Sequence, residues 1–322
     1  MAPPVDLNSL SLPDLYRTLC ERGTVRQLIE LARDEDLPGG KLVADATSVI
    51  AVGDESCMAV MRARKPGMVA GLVTLDDIVQ VFGAQVQVER VKRDGEAMAA
   101  GDVLARLTGP ARHVLGIERT ALNLVSRLSG VATLTKKYVD AAAGGSARVY
   151  DTRKTTPGLR MLEKYAVRCG GGCCHRLDLG DAILIKDNHI AGIAAEQLGA
   201  RVRELGTAAR QRFDTLRFVM VEVDGLEQLQ SILSSAPDVV DIVLLDNMNA
   251  EMLRRASQMR DETAKSGSRR VELEASGSVT LETIGGIART GVDRISIGAL
   301  THQAVSVDIG LDIDPDADVG GA

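Results

Sequence analysis

The sequence predicts an α/β protein in two parts, whose C-terminal part is a parallel sheet covered by helices. Three observations carry this. From Ala147 onward, short apolar runs alternate with segments of helical periodicity. Before that point the pattern differs, with period-two stretches punctuated by turn glycines. Between Asp151 and His189 lies a cationic cluster of seven Lys or Arg and two His, in a chain whose net charge is −6. That cluster is therefore a local feature and not general basicity.

Residues 1–48 read as helical and polar. Parts of 49–60, 67–75 and 84–91 alternate in the manner of strands. Turn glycines at Gly95 and Gly101 mark a hairpin over 91–109. Its geometry resembles biotinyl and lipoyl carrier domains, but no lysine lies between Asp94 and Arg106, so a plain antiparallel sheet is expected. Leu122, Val125, Leu128 and Ala132 stand at helical spacing within 118–140, which reads as one long helix or as a broken pair with Ser129-Gly130 as the break. The later strands are expected at 147–151, 182–186, 217–223, 239–246, 270–276 and 293–298. Between them LRMLEKYAV, AEQLGARVREL and NAEMLRRASQM have helical periodicity. The aspartate-rich segment 308–322 is expected to end as a solvated tail. The domains expected are 1–129, joined by 303–322, and 130–302.

Composition excludes several function classes. At 322 residues and 45% hydrophobic content, the chain can bury a sizeable core. Aromatic content of 2%, without Trp, and an acidic balance argue against a nucleic-acid surface. No run of eighteen apolar residues occurs and MAPPVDLNSL has no leader pattern, so an unexported cytoplasmic protein is expected. Five cysteines, two of them adjacent, fit a reducing compartment better than disulfides. Cys169, Cys173, Cys174 and His175 lack zinc-site spacing and read as small buried groups in a glycine-rich turn.

Every late strand ends in residues able to do chemistry: Thr152, Arg153 and Lys154; Lys186; Glu222 and Asp224; Asp246 and Asn247; Ser276 and Gly277; Gly298. Parallel strands bring such ends to one side, where ligands collect. Arg153, Arg176 and Lys186 with His175 suit a dicarboxylate or phosphate. Glu222 and Asp246 suit Mg²⁺ held together with substrate phosphates, or a cationic sugar carbon. The turns Ser276-Gly277-Ser278 and Ile297-Gly298-Ala299 suit a phosphate on backbone N–H groups. Arg160, Lys164 and Arg168, at i, i+4 spacing, read as a solvated helix face. His113 reads as structural, and His302 is open between the two readings. A Schiff-base lyase using Lys186 and a non-catalytic ligand sensor are the readings from other classes.

The motifs ERTALNLVSRLSGVAT, DTRKTTPGLRMLEKYAVRCGGG, HRLDLGDAILIKDNH, VEVD, LLDN, EASGS and ISIGALTH occur in this order. Together they resemble the quinolinate phosphoribosyltransferase family over residues 67–312. The resemblance implies an N-terminal α+β sandwich-like domain and an α/β barrel with fewer than eight parallel strands. It implies transfer of phosphoribosyl from phosphoribosyl pyrophosphate to quinolinate with loss of CO₂, an Mg²⁺ cofactor and a homodimer with shared sites. A related protein with an altered substrate stays open beside it. By the same resemblance Thr152, Arg153, His175, Arg176 and Lys186 hold the dicarboxylate, and Arg119 reaches the partner's site. Lys154, Glu222 and Asp246 serve the phosphoribosyl pyrophosphate side, with Lys154, Lys186, Glu222 and Asp246 the catalytic set. Ser276, Gly277, Ser278, Ile297, Gly298, Ala299 and His302 form the 5′-phosphate cradle. The chain departs from the pattern with Cys174 in an Asn place, Ser278 in a Gly place, and a loose EDLPGGKLVADATS.

Overall fold

The computed structural model describes residues 5–52 and 54–314. The N-terminal half runs α1 (Leu12–Cys20), α2 (Thr24–Asp36), α3 (Ala46–Ala51), β1 (Ser56–Ala63), β2 (Gly67–Met68), α4 (Thr74–Phe82), β3 (Gln87–Arg90), β4 (Ala97–Met98), β5 (Val103–Pro110) and the long helix α5 (Ala111–Ala141). The rest runs β6 (Arg148–Tyr150), α6 (Arg160–Cys169), β7 (Ile183–Ile185), α7 (Ala195–Arg212), β8 (Val219–Val223), α8 (Leu226–Ser235), β9 (Ile242–Asp246), α9 (Ala250–Lys265), β10 (Glu272–Ser276), α10 (Leu281–Ala288), β11 (Arg294–Ser296), α11 (Ala299–His302) and β12 (Ile309–Asp314). Two compact units result. One comprises the described segment up to Ser9 with Lys137–Arg153 and Gly172–Gly298; the other comprises Leu10–Lys136, Lys154–Gly171 and the described residues from Ala299.

The second of these units holds an antiparallel sheet of order β12-β1-β5-β3 and a small β2-β4 ladder. Several expectations are corrected here. Asp45 accepts from Ser48 N–H at 3.0 Å and caps α3, so within 49–60 only the part from Ser56 onward is strand. The alternation over 67–75 stops after Met68. Gly71 turns the chain at φ +98°, and the Asp94 carboxylate accepts from Leu72 and Val73 N–H at 2.9 and 3.2 Å, which launches α4. α5 runs unbroken through Ser129-Gly130. That pair serves close packing instead: Ser129 Oγ accepts from Ala70 N–H at 3.1 Å, and a Cβ at 130 would stand 2.2 Å from Val305 O. On α6 the expected solvated face fails, because Lys164 is fully buried and Arg168 donates to Leu10 O at 3.0 Å. The aspartate-rich segment contributes β12, an edge strand antiparallel to β1; the expected tail over 315–322 lies outside the described residues.

The other unit holds six parallel strands in the order β6-β11-β10-β9-β8-β7. From β7 to β11 each strand lies beside the next in sequence, and the first strand, β6, pairs with the last. In an open singly wound sheet β6 would lie beside β7. Its pairing with β11 curls the sheet into a barrel of fewer than eight strands. Beyond β6, Cys173 makes a parallel bridge to Tyr150, with Cys173 N–H donating to Val149 O at 2.8 Å and Asp151 N–H to Cys173 O at 3.0 Å. The glycine-rich turn thus supplies a one-residue strand at this edge, which explains its buried small side chains. None of the five cysteines is joined in a disulfide with another. Among the described residues no helix is long and apolar enough to cross a membrane.

Candidate active site

Strand register decides which side chains share the barrel interior. Leu184 pairs with Met220, Met220 with Ile242, and Ile242 with Glu272. One step further along, Glu222 pairs with Leu244, Leu244 with Glu274, Glu274 with Arg294, and Arg294 with Arg148. Ala182, Phe218, Met220, Ile242 and Leu244 form one buried cluster with Leu184 against it, so this face is the interior. Because side chains alternate with period two, the same face continues at the carboxyl ends as Thr152, Lys186, Glu222, Asp246, Ser276 and Gly298. Apart from Arg153, Asn247 and Gly277, which fall on the opposite parity to Thr152, Asp246 and Ser276, the strand-end residues expected in this unit therefore share one face and one end of the sheet.

The charges there are arranged unevenly. Lys186 Nζ lies 2.9 Å from Glu222 Oε2, the lysine side chain 46% exposed and the glutamate 14%. Asp246, on the neighbouring strand, accepts from Asn247 Nδ2 at 2.8 Å. Arg176 is buried and donates through Nη1 to Ala182 O at 3.2 Å. Burial pushes the Arg176 guanidinium below its usual pKa, and the nearby Arg153 guanidinium pushes it the same way. The Nε of Arg153 is buried without a hydrogen-bond partner among the described residues. Two guanidiniums close enough to repel, one with an orphaned donor, make a place suited to an anion.

Backbone geometry shapes the turn after β10. Gly277 has φ +99°, and a Cβ on it would stand 2.1 Å from Asn247 Oδ1, so glycine is required there. Asn247 itself has φ 53°, and its N–H donates to Ser276 O at 2.9 Å. Ser278 has φ 49°, a left-handed conformation that explains why a glycine suits this place.

His175 is held from both sides. Its N–H donates to Asp151 Oδ1 at 2.8 Å, and its Nδ1 accepts from Arg176 N–H at 2.7 Å. Its Nε2 lies 3.3 Å from Glu274 Oε1. Glu274 in turn accepts from Arg294 Nε at 2.8 Å, and the Arg294 guanidinium lies 3.8 Å over the Tyr150 ring. Although burial by itself would raise it, the facing His175 and Arg294 hold the Glu274 carboxyl well below the usual carboxylate range. Sequence reasoning missed Glu274, Arg294 and Asp151. Charged residues on the inward parity of RVELEAS and DRISIG were the available signal. Cys174 is fully buried and brings no amide, yet one reaches this turn from Asn8, whose Oδ1 accepts from Cys174 N–H at 2.7 Å and whose Nδ2 donates to Cys174 O at 3.1 Å.

The remaining expected residues belong to the other unit. Lys154 has an exposed side chain, and its carbonyl accepts from Thr301 Oγ1 at 2.6 Å. Ala299 starts α11, and His302 ends it, exposed. Arg119 is exposed on α5. Arg127 binds the loop after Lys154 to α11: it donates to Glu163 Oε1 at 2.7 Å, to Thr301 O and, at 2.6 Å, to Ala304 O, while Glu163 Oε2 accepts from Thr156 N–H at 3.0 Å. His113 accepts from Gln85 N–H at 3.0 Å and is structural, as expected.

Among the described residues no cluster of three or more His, Cys, Asp or Glu could hold a metal ion alone. The donor set of two interior carboxylates, Glu222 and Asp246, fits a hard cation that completes its shell with substrate phosphates and water.

Comparison with known proteins bears on this arrangement. A model of the quinolinate phosphoribosyl transferase C-terminal domain matches residues 131–312, and one of its N-terminal domain matches 45–129. The chain is 42% identical over 298 residues to the nicotinate-nucleotide pyrophosphorylase [carboxylating] of Mycobacterium leprae, covering 91% of this chain and 99% of the relative. It is 39% identical over 269 residues to the probable nicotinate-nucleotide pyrophosphorylase [carboxylating] of Bacillus subtilis, covering 84% and 88%. The solved nicotinate-nucleotide pyrophosphorylase of Francisella tularensis superimposes with a TM-score of 0.79 at 30% identity, covering 97% of this chain and all of that one. A six-stranded parallel barrel carrying Lys186, Glu222 and Asp246 on one inner face, and matching both halves of these proteins, belongs to the quinolinate phosphoribosyltransferase family.

Proposed function

We propose that this protein transfers the phosphoribosyl group of phosphoribosyl pyrophosphate to the ring nitrogen of quinolinate, releasing pyrophosphate and CO₂ and leaving nicotinate mononucleotide, a step in NAD biosynthesis. The observation that carries this at the level of residues is the pair Arg153 and Arg176, with its orphaned buried donor. It lies in the unit whose strand ends also present Lys186, Glu222 and Asp246 on the interior face.

Two planar guanidiniums suit the two carboxylates of a pyridine dicarboxylate, and Thr152 and Lys186 add a hydroxyl and a point charge. Lys186 is neutralised by Glu222, so engaging a substrate carboxylate requires it to exchange partners. That exchange leaves Glu222 beside Asp246 as an acidic pair facing the sugar. As pyrophosphate departs, positive charge develops at the anomeric carbon, and these carboxylates stabilise it electrostatically. Lys154 carries the charge of the leaving group. Glu222 and Asp246 would hold Mg²⁺ together with the diphosphate, and the ion would add charge neutralisation there. Attack by the nitrogen makes it quaternary; the adjacent carboxylate then leaves as CO₂, its bonding electrons stay on the ring carbon beside the cationic nitrogen, and that carbon takes a proton. Holding the two reactants in line is the main contribution, and no nucleophilic side chain is needed. Ser276, Gly277, Ser278, Ile297, Gly298, Ala299 and His302 are assigned to the 5′-phosphate.

The working form proposed is a cytoplasmic homodimer in which Arg119 serves the partner's site, with functional domains 1–129 plus 303–322 and 130–302. The Schiff-base reading of Lys186 gains nothing from an ion-paired ammonium. The deciding assay mixes protein, Mg²⁺, phosphoribosyl pyrophosphate and quinolinate and measures nicotinate mononucleotide and CO₂ in equal amounts. Turnover of nicotinate in place of quinolinate would overturn the substrate assignment.

A further inference from the structure

The barrel interior contains an ion pair that the transfer reaction does not use. Glu274 is fully buried, Arg294 nearly so, and both lie on inward positions of neighbouring strands β10 and β11. Arg294 Nε holds one carboxylate oxygen of Glu274 at 2.8 Å. The other oxygen, Oε1, makes no aligned hydrogen bond among the described residues and faces His175 Nε2 at 3.3 Å. On the far side of the imidazole, Nδ1 accepts the Arg176 main-chain N–H at 2.7 Å. A nitrogen that accepts from an N–H cannot carry its own proton, so the neutral ring bears its proton on Nε2, toward Glu274. Phe218 packs edge-on against the ring at 5.4 Å between centroids and limits its rotation.

We propose that Glu274 is a positioning residue for the dicarboxylate site: it sets the Nε2–H tautomer of His175, whose Nδ1 then fixes the main chain from which the Arg176 guanidinium projects. His175 acts on the substrate through Arg176 in this arrangement, because its Nδ1 is taken by the Arg176 main chain and its Nε2 faces Glu274 in the buried interior. Arg294 orients Glu274 and balances its charge in the buried interior. The inference rests on the reading of Arg176 as a substrate-binding residue.

Two double variants separate the acceptor from the charge, and each avoids leaving one buried charge alone. Glu274→Gln with Arg294→Met keeps an acceptor for Nε2, whereas Glu274→Leu with Arg294→Met removes it and packs the space with apolar groups. The ¹⁵N spectrum of the intact protein, with the His175 signals assigned from a His175→Gln spectrum, reports the tautomer. Wild type and the Gln/Met variant are expected to show Nε2–H, with KM for quinolinate within about 3-fold of each other. The Leu/Met variant is expected to show a tautomer mixture and a KM raised about 10-fold with little change in kcat, the effect of losing one hydrogen-bond acceptor. A wild-type ring protonated on Nδ1 would overturn the proposal, as would a Leu/Met variant with unchanged tautomer and KM. If the Leu/Met variant does not fold, the Gln/Met variant decides: a raised KM with the acceptor intact overturns it. If wild type neither binds nor turns over quinolinate, the functional reading fails, while the spectrum still tests the Glu274–His175 pairing by itself.

Discussion

At the scale of single residues, Arg176 shows how burial and function meet. Its guanidinium donates to Ala182 O and lies close enough to Arg153 for the two positive charges to repel. Arg176→Ala is expected to raise the dissociation constant for quinolinate on the order of 100-fold while leaving the circular dichroism spectrum unchanged. Calorimetric titration checks it, and unaltered affinity in a folded variant removes Arg176 from the site. Backbone conformation sets a second residue-scale constraint. Gly277→Ala forces a Cβ against Asn247 at a positive φ and is expected to cost about 2 kcal/mol or more in denaturant unfolding, together with loss of activity. Ser278→Gly relieves a left-handed serine and is expected to be neutral or stabilising, by up to about 1 kcal/mol. A clear loss of stability there would contradict the strain argument. Both glycine effects are invisible in composition, because φ belongs to the folded turn.

At the scale of elements, the loop after Lys154 is tied down by one buried ion pair. Arg127 on α5 and Glu163 on α6 together hold Thr156, Thr301 and Ala304. Arg127→Ala leaves Glu163, which is fully buried, without its cation and is expected to cost about 3 kcal/mol, read as a lower urea midpoint. Arg127→Met with Glu163→Gln is expected to recover much of that loss. If the single variant is as stable as wild type, the network is dispensable. The element scale is also where the sequence reading was most uneven. The six parallel strands were legible because fully buried strands are near-continuous apolar runs between helical segments. Ser129-Gly130 was not, because a small pair inside a helix looks the same whether it breaks the helix or admits a neighbour. Lys164 was not either: i, i+4 spacing tells which residues share a face, but not whether that face meets water.

At the scale of the whole molecule, the proposed dimer makes a prediction of its own. If Arg119 serves the partner's site, Arg119→Ala and Arg176→Ala are each inactive alone, and mixed dimers carry one site with neither change. Mixing the two after subunit exchange is expected to restore up to about a quarter of wild-type activity, since half of randomly paired dimers are mixed and each has one intact site of two. Absence of recovery in a verified mixed dimer would count against a shared site.

What the sequence determined by itself was the order of chemistry along the chain: cations on the early strands, carboxylates on the middle ones, small turns on the late ones. It determined this because parallel strands must end on the same side, whatever the barrel's curvature. Tertiary structure alone decided that β6 closes against β11, that Lys186 meets Glu222, and that a buried Glu274 stands between Arg294 and His175. Those outcomes depend on strand stagger and on distances between residues far apart in sequence, and no local periodicity encodes them.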